Sequence, residues 1–212
     1  MGEINLYQYP ISPFSEKVRR VLTYKHLKWH PIDCHYEDKT NLLAVTRGAC
    51  TRVPVLEWDG EVVYNSADII KWLDRKAPEN RVIPDGSRLL IELVDNWADN
   101  TFFMPVLFLT IPNLLDAAGD AKLKANREKL IGMTTAQMRE RRAPMKEQLV
   151  GYMRMIDDQL AGRDFFLGKS FTMADASVYH PLFFLALNPL NFSMVKDFKN
   201  VSLWYERIRD LV

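Results

Sequence analysis

The chain has 212 residues, of which 48% are hydrophobic and 26% are charged, and its formal net charge is +1. This composition excludes a disordered polypeptide, and the small net charge argues against a general binder of polyanions such as nucleic acid. The length is sufficient for one large hydrophobic core or two smaller ones.

A strand, a tight turn and a helix are predicted at the start of the chain. Residues 4–9 form the apolar strand, and Ser12, Pro13 and Phe14 follow it. Ser12 is a good N-cap, and Pro13 suits the first helical position because its missing N–H would be unpaired there in any case. A hydroxyl at a helix N-terminus is placed where a sulfur anion would be stabilised. A serine that merely caps the helix is the alternative.

A second feature is the proline in the apparent strand Arg52-Val53-Pro54-Val55-Leu56, which precedes the hairpin turn Asp59-Gly60. Proline inside a strand needs an explanation, and a cis Val53–Pro54 bond at the strand entrance supplies one. That arrangement would leave the backbone of Val53 unpaired and able to bind a peptide-like ligand. A simple turn-forming role for Pro54 is the alternative.

The remaining elements predict two domains. A strand at 29–33, an irregular connection at 35–51 with room for a short helix, and a helix from Asn65-Ser66 to Ala77 complete the first domain, residues 1–77. Residues 78–87 are rich in proline and charge and are predicted to be a linker. Helical spacing then recurs at 89–109, 122–160, 173–187 and 203–212, so residues 88–212 are predicted to be all-helical.

A capping box is predicted at the start of the third helical region. Thr172 is expected to cap the N–H of Asp175, and Asp175 to reach back to the N–H of Thr172. The residues that follow are apolar nearly all round, which indicates a helix buried in a core. Both residues are therefore assigned to folding.

Together these motifs resemble those of the cytosolic glutathione transferases, and the resemblance covers essentially the whole chain. The start Ser12-Pro13-Phe14 with Lys17-Val18-Arg19 is similar to the serine-type tau class, and to the omega class with its cysteine replaced by serine. Phe171-Thr172-Met173-Ala174-Asp175 resembles the capping box of the family's second domain. The resemblance implies an α/β thioredoxin-like N-terminal domain with a mixed four-stranded sheet, an all-α C-terminal domain and a homodimer.

The resemblance also implies a function and a set of site residues. Glutathione would be the co-substrate, and Ser12 would donate a hydrogen bond to its thiolate, which attacks a small apolar electrophile or a peroxide. The backbone of Val53, placed by cis-Pro54, would pair with the cysteinyl unit. Ser66 would bind the γ-glutamyl carboxylate and Lys39 the glycyl carboxylate; a plain helix cap and a solvated surface charge are the alternatives for these two.

Two departures from the family pattern bear on binding. The family usually has glutamate before that serine to hold the γ-glutamyl group, and this chain has Asn65. Its usual Asn-Pro-x-Gly segment is replaced by residues 48–51, Gly-Ala-Cys-Thr. A non-catalytic binding or regulatory module with a degenerate glutathione site is therefore the alternative function. Thiol–disulfide exchange is disfavoured because Ser12 and Ser15 occupy both positions of a C-P-x-C pattern.

An apolar wall for the electrophile is expected beside Ser12, and plain helix–helix core is the alternative for the same residues: Phe102, Phe103, Met104, Phe108, Met133 and Met138.

Cysteine and histidine usage gives no metal-site pattern. Cys34 and Cys50 have no metal-ligand spacing and are expected to be free thiols, and no carboxylate or cysteine cluster accompanies His26 and His30. The longest apolar stretch, residues 102–115, is expected to be too short to span a bilayer. Without a leader or lipidation pattern, we expect a cytoplasmic protein with no membrane partner.

Overall fold

The computed structural model describes residues 2–211. The sheet and its helices comprise β1 (Ile4–Gln8), α1 (Pro13–Tyr24), β2 (His30–Asp33), α2 (Thr40–Val45), β3 (Val55–Trp58), β4 (Glu61–Tyr64) and α3 (Ser66–Lys76). The helical part comprises α4 (Arg88–Trp97), a π-helical segment (Ala98–Phe102), α5 (Phe103–Ala118), α6 (Ala121–Ile131), α7 (Thr135–Glu140), α8 (Arg142–Leu160), α9 (Met173–Ala186), α10 (Pro189–Phe192), a 3₁₀ segment (Ser193–Asp197) and α11 (Lys199–Arg209).

The sheet is mixed and has four strands in the order β2-β1-β3-β4. β1 runs parallel to β2 and antiparallel to β3, and β3 and β4 form an antiparallel hairpin through Asp59-Gly60. The predicted fold class, a thioredoxin-like α/β domain followed by an all-α domain, is confirmed.

α1 connects the two halves of the molecule. Its apolar positions recur at helical spacing, and Val18, Val21 and Leu22 are fully buried. α1 packs against α3 beside the sheet and against α9 of the helical half, so one hydrophobic core is continuous across both. Burying each such side chain contributes about 1.5–3 kcal/mol, which fixes the start of α1 relative to both halves.

The run from Arg88 to Ala118 is helical throughout and 31 residues long. The apolar stretch at 102–115, which by itself is too short to span a bilayer, is therefore part of a longer helix. Neither proline of the stretch ends the run, because Pro105 lies in the first turn of α5 and Pro112 lies inside it. By length and composition alone this run is sufficient to cross a membrane, and 56% of its apolar window is buried inside the protein. It packs against α8 and α9, as the core helix of a helical domain does.

The start of α9 shows how the predicted capping box is realised. The carboxylate of Asp175 accepts the N–H of Thr172 at 2.8 Å, as predicted. The Thr172 hydroxyl also donates to this carboxylate, at 2.9 Å, and the N–H of Asp175 bonds to the Thr172 carbonyl oxygen. Asp175 further accepts from the N–H of Phe166 and the indole of Trp204, so one buried carboxylate joins α9 to α11.

The helical region expected at 122–160 is three helices in the structure. Gly132 ends α6 in a left-handed conformation with φ +74°, and Thr134 begins α7 in a capping box with Gln137. Both are local signals that the spacing of apolar residues does not reveal.

Candidate functional site

Ser12 is the N-cap of α1, as predicted. Its Oγ accepts a hydrogen bond from the N–H of Ser15 at 3.2 Å, and its own N–H donates to the carbonyl of Tyr9 at 3.0 Å. The residue is 9% exposed. No acceptor for the hydroxyl hydrogen is found within residues 2–211, so the hydroxyl retains the capacity to donate to a ligand.

The register of the sheet brings the predicted binding positions to one edge of the sheet, where β1 and β4 end and β3 begins. Tyr7 on β1 pairs with Val55 on β3, and Val55 pairs with Tyr64 on β4. Val53 and Ser66 each lie two residues beyond this row at the same edge. The loop that follows β1 and leads to Ser12 leaves the sheet there as well.

The peptide bond between Val53 and Pro54 is cis, as predicted. Val53 precedes β3 and is partly exposed, whereas Pro54 is buried. In the described part of the chain, neither the N–H nor the C=O of Val53 has a backbone partner. Both groups are therefore open to a peptide-like ligand, and pairing with a cysteinyl unit stays a prediction.

Asn65 and Ser66 form the N-terminus of α3. Asn65 is the N-cap, and its side-chain oxygen accepts from the N–H of Ala67 at 3.2 Å. Its backbone has φ +75° and ψ +123°, an unusual conformation for a residue other than glycine. Ser66 is the first helical residue and is buried. The Asn65 side chain is thus engaged in capping its own helix.

Lys39 lies at the same edge of the sheet, next to the end of β1. Its Nζ donates to the hydroxyl of Tyr9 at 2.6 Å and lies 4.6 Å from the centre of the Tyr36 ring. Burial is the main reason that the pKa of Lys39 is below its ordinary value. The ammonium group has two further N–H donors, so a ligand carboxylate beside Tyr9 would find a cation there.

Comparison with known proteins identifies the family of this arrangement. The model of the glutathione S-transferase N-terminal domain matches residues 6–81, and that of the C-terminal domain matches residues 135–207. The chain belongs to the glutathione S-transferase superfamily. Both halves match, and all of the predicted site residues fall within the first match: Ser12, Lys39, Val53, Pro54, Asn65 and Ser66.

Individual relatives are distant. Glutathione S-transferase U6 of Arabidopsis thaliana is 25% identical over 179 residues, which cover 82% of this chain and 67% of the relative. A GST-like protein from Pseudomonas syringae has a TM-score of 0.78 at 25% identity, covering all of this chain and 68% of that one. A glutathione S-transferase from Methylobacillus flagellatus, solved with glutathione bound, has a TM-score of 0.70 at 22% identity, with 99% of both chains covered.

In this transferase-family chain, a buried ionic cluster lies beneath α1. Lys17 is fully buried, and its Nζ pairs with the carboxylates of Asp95 and Asp99, the latter at 2.8 Å. His180 Nε2 lies 2.9 Å from Asp99 Oδ1. Burial would raise the pKa of Asp99, but the His180 hydrogen bond and the Lys17 charge outweigh it, so this pKa is below its ordinary value.

Burial favours the neutral form of His180, and the hydrogen bond with Asp99 orients its ring. Burial lowers the pKa of His180, and the ionised Asp99 takes a hydrogen bond from Nε2–H. Nδ1 is then the acceptor nitrogen, and it has no partner within residues 2–211. The cluster connects the helix that begins at Ser12 with the π-helical segment and with α9 of the helical half.

Sequence reasoning missed this cluster and the aromatic neighbours of Lys39. A signal was present in the spacing of Asp95 and Asp99, which places two carboxylates on one face of a helix. The partner Lys17 lies about eighty positions away, so spacing alone does not identify it.

The expected apolar wall is only partly present. The ring of Phe103 lies 5.4 Å from that of Phe14, two residues after Ser12, and Met104 beside it is exposed. Phe102, Phe108 and Met138 are buried, so the alternative interpretation as core is correct for these three. Phe14 and Phe103, both partly buried, are thus the aromatic residues that lie near Ser12.

Two surface cavities lie away from this edge. One, of about 280 Å³, lies between α3 and the start of α4; the other, of about 340 Å³, lies among α1, α9 and α11. Neither is lined by Ser12, Val53 or Ser66. Within residues 2–211, no group of three or more histidine, cysteine or acidic side chains is placed to hold a metal ion.

Proposed function

We propose that this chain is a glutathione transferase that stabilises the thiolate of glutathione for attack on small apolar electrophiles or peroxides, as in detoxification. The observation that carries the proposal is the Ser12 hydroxyl, which caps α1 and keeps its hydrogen available at the same edge of the sheet as the unpaired backbone of Val53. Family membership supports glutathione as the thiol, as does the bound glutathione named for the Methylobacillus relative.

The energetic demand on Ser12 is modest. A free thiol has a pKa of about 8.5, and lowering it by about two units requires roughly 2.7 kcal/mol. A hydrogen bond to a charged acceptor contributes about 1.5–3 kcal/mol, and a helix N-terminus adds about 0.3–1 kcal/mol. Ser12 and α1 together are therefore sufficient. In this role Ser12 is a donor to the thiolate, so the mechanism needs no histidine base next to it.

The tripeptide would lie along the edge of the sheet. Its cysteinyl unit would pair with the backbone of Val53, and its γ-glutamyl carboxylate would bind at Ser66, where the N-terminus of α3 favours an anion. Its glycyl carboxylate would bind Lys39. The order of the strands supports this path, because Lys39 is on the β2 side and Ser66 on the β4 side.

A second candidate function, a binding or regulatory module without catalysis, is favoured by Asn65. A neutral side chain that caps its own helix would bind the γ-glutamyl group more weakly than a carboxylate would. Losing a charge-assisted hydrogen bond of about 1.5–3 kcal/mol weakens binding about ten- to 150-fold.

Calorimetric titration with glutathione at pH 7, followed by an aryl-halide conjugation assay, distinguishes the two functions. We expect saturable binding in the native protein and a fall in kcat/KM of about ten- to 150-fold in Ser12→Ala, because the donor to the thiolate is lost.

Ser15→Ala is the matched control for Ser12→Ala. It removes a buried hydroxyl with no partner one turn along the same helix, and we expect its activity to equal that of the native protein. No binding at millimolar glutathione, or equal rates for native protein and Ser12→Ala, would reject catalysis and favour the module.

We also propose that the transferase is a homodimer joined through α4. Three leucines on α4 are exposed, Leu89 by 74%, Leu90 by 51% and Leu93 by 59%. Tyr64 on the edge strand β4 is exposed too, and the ion pair between Lys71 and Glu92 places α3 beside α4. An apolar patch of this kind with charged neighbours is typical of a protein–protein interface.

A further inference from the structure

Helix α6 of the helical domain contacts the loop between β2 and α2 through its charged side chains. Lys122 pairs with Glu37 at 3.1 Å, and the guanidinium carbon of Arg127 lies 3.9 Å from the centre of the Tyr36 ring. No residue of α6 is buried. Leu123 and Ile131 of α6 pack partly buried against the core, and the charged side chains beside them contact the loop that carries Lys39.

Two cations contact the ring of Tyr36. Arg127 lies over its ring, and Lys39 Nζ is 4.6 Å from the ring centre. Lys39 also donates to the hydroxyl of Tyr9, so the four residues form one contiguous group, which we call the cationic corner. It contains one cation from each domain.

The two cations of the cationic corner have no carboxylate partner within residues 2–211. The nearby Glu37 is paired with Lys122, and Asp33 accepts a hydrogen bond from Gln8. The Arg127 side chain makes no hydrogen bond within the same range. A guanidinium over an aromatic face keeps its N–H groups in its own plane, so the fork that matches a carboxylate is unused.

The cationic corner adjoins the Ser12 site. Tyr9 provides the carbonyl that accepts the Ser12 N–H, so the corner begins three residues before the proposed thiolate donor. It is on the β2 side of the sheet, opposite the N-terminus of α3 at Ser66. A tripeptide lying across the edge would bring its terminal carboxylate to the corner.

We infer that Arg127 is a specificity-determining residue that binds the terminal carboxylate of the thiol co-substrate together with Lys39. This inference rests on the proposed function, and it adds a ligand contact from the helical domain. A contact of Arg127 with the glycyl carboxylate would also compensate for the weaker binding of the γ-glutamyl group at Asn65. The transferase should therefore select thiols that carry a carboxylate at that end.

Calorimetry on the full chain with two ligands, glutathione and its glycyl amide, tests this role. In the native protein we expect the amide to bind about tenfold or more weakly, because it lacks the carboxylate. Arg127→Gln should weaken the binding of glutathione by a similar factor and leave the affinity for the amide unchanged. In the conjugation assay the same variant should raise KM for glutathione while kcat stays within about twofold, since Ser12 is untouched.

Two further variants complete the comparison. Lys129→Gln removes the same charge from an exposed position of α6, and we expect native affinity for both ligands. Arg127→Lys should recover part of the discrimination, since it keeps the charge and loses the fork.

Equal weakening of both ligands by Arg127→Gln, or no weakening of either, would overturn the inference while leaving a Ser12-dependent rate intact. Failure of the native protein to bind glutathione would overturn the inference and the proposed function together. A merely structural role for Arg127 would lower the melting temperature without separating the two ligands.

Discussion

At the scale of single residues, Asn65 has two structural roles that compete with ligand binding. It caps α3 through Ala67, and its backbone holds φ +75°, which asparagine tolerates better than most residues. Glutamate, the usual family residue, would supply charge but would cap the helix poorly. We interpret Asn65 as favouring the stability of α3 over the affinity of the site.

The first prediction is that Asn65→Glu tightens glutathione binding by about tenfold, because a charge-assisted bond to the γ-glutamyl group replaces a neutral one. The same change should lower the free energy of unfolding by about 1 kcal/mol through loss of the cap. Calorimetry and urea denaturation measure the two effects. Asn65→Gln, which lengthens the side chain without charge, is the control; equal affinities for Glu and Gln would argue against a γ-glutamyl contact here.

At the scale of elements, the position of α1 depends on charges that are far apart in sequence. Lys17 is surrounded by Asp95 and Asp99 inside the protein, and Asp99 lies in the π-helical segment between α4 and α5. A buried ion pair adds little net stability relative to apolar packing, but removing one partner strands the others. The cluster therefore fixes the position of α1, and with it that of Ser12, against the helical half.

We predict that Lys17→Met lowers the free energy of unfolding by about 3–5 kcal/mol, because the buried carboxylate of Asp95 and the partly buried carboxylate of Asp99 lose their cation. Urea denaturation followed by circular dichroism measures it. The control is Lys28→Met, an exposed lysine four residues after α1, for which we expect a change below about 0.5 kcal/mol. A loss below 1 kcal/mol for Lys17→Met would show that the cluster is not a structural constraint on α1.

An element could be predicted from the sequence where the residues that determine it are close together in the chain. Ser12-Pro13 and Val53-Pro54 encode a helix start and a strand entrance within a few residues, and the structure has both. The carboxylate partners of Lys17, and Arg127 over the ring of Tyr36, come from helices about eighty residues or more away, and only the folded chain brings them together. The break at Gly132 was encoded locally and was missed because apolar spacing continues across it.

At the scale of the whole molecule, the site takes groups from both domains. The N-terminal half supplies Ser12, Val53 and Ser66, while the helical half supplies the carboxylates under α1 and, by our inference, Arg127. The patch on α4 lies on a helix that also carries Asp95, so one face of this helix points to the core and the other outward. A dimer through α4 would hold the helical run on which the ionic cluster depends.

We predict that the native chain sediments as a dimer and that Leu93→Glu sediments as a monomer, since a charge in the centre of an apolar interface is left without a partner. Leu203→Glu is the matched control, because Leu203 is an equally exposed leucine on α11, away from the patch. A monomeric native protein, or a dimeric Leu93→Glu variant, would contradict an interface at α4.

The most direct test of the Ser12 site is a pH titration of the thiolate absorbance of glutathione bound to the native protein and to Ser12→Ala. We expect the bound thiol to titrate about two units below the free value of about 8.5 in the native protein, and close to the free value in the variant. A bound thiol that titrates near 8.5 in the native protein would contradict the role of Ser12 as the donor that stabilises the thiolate.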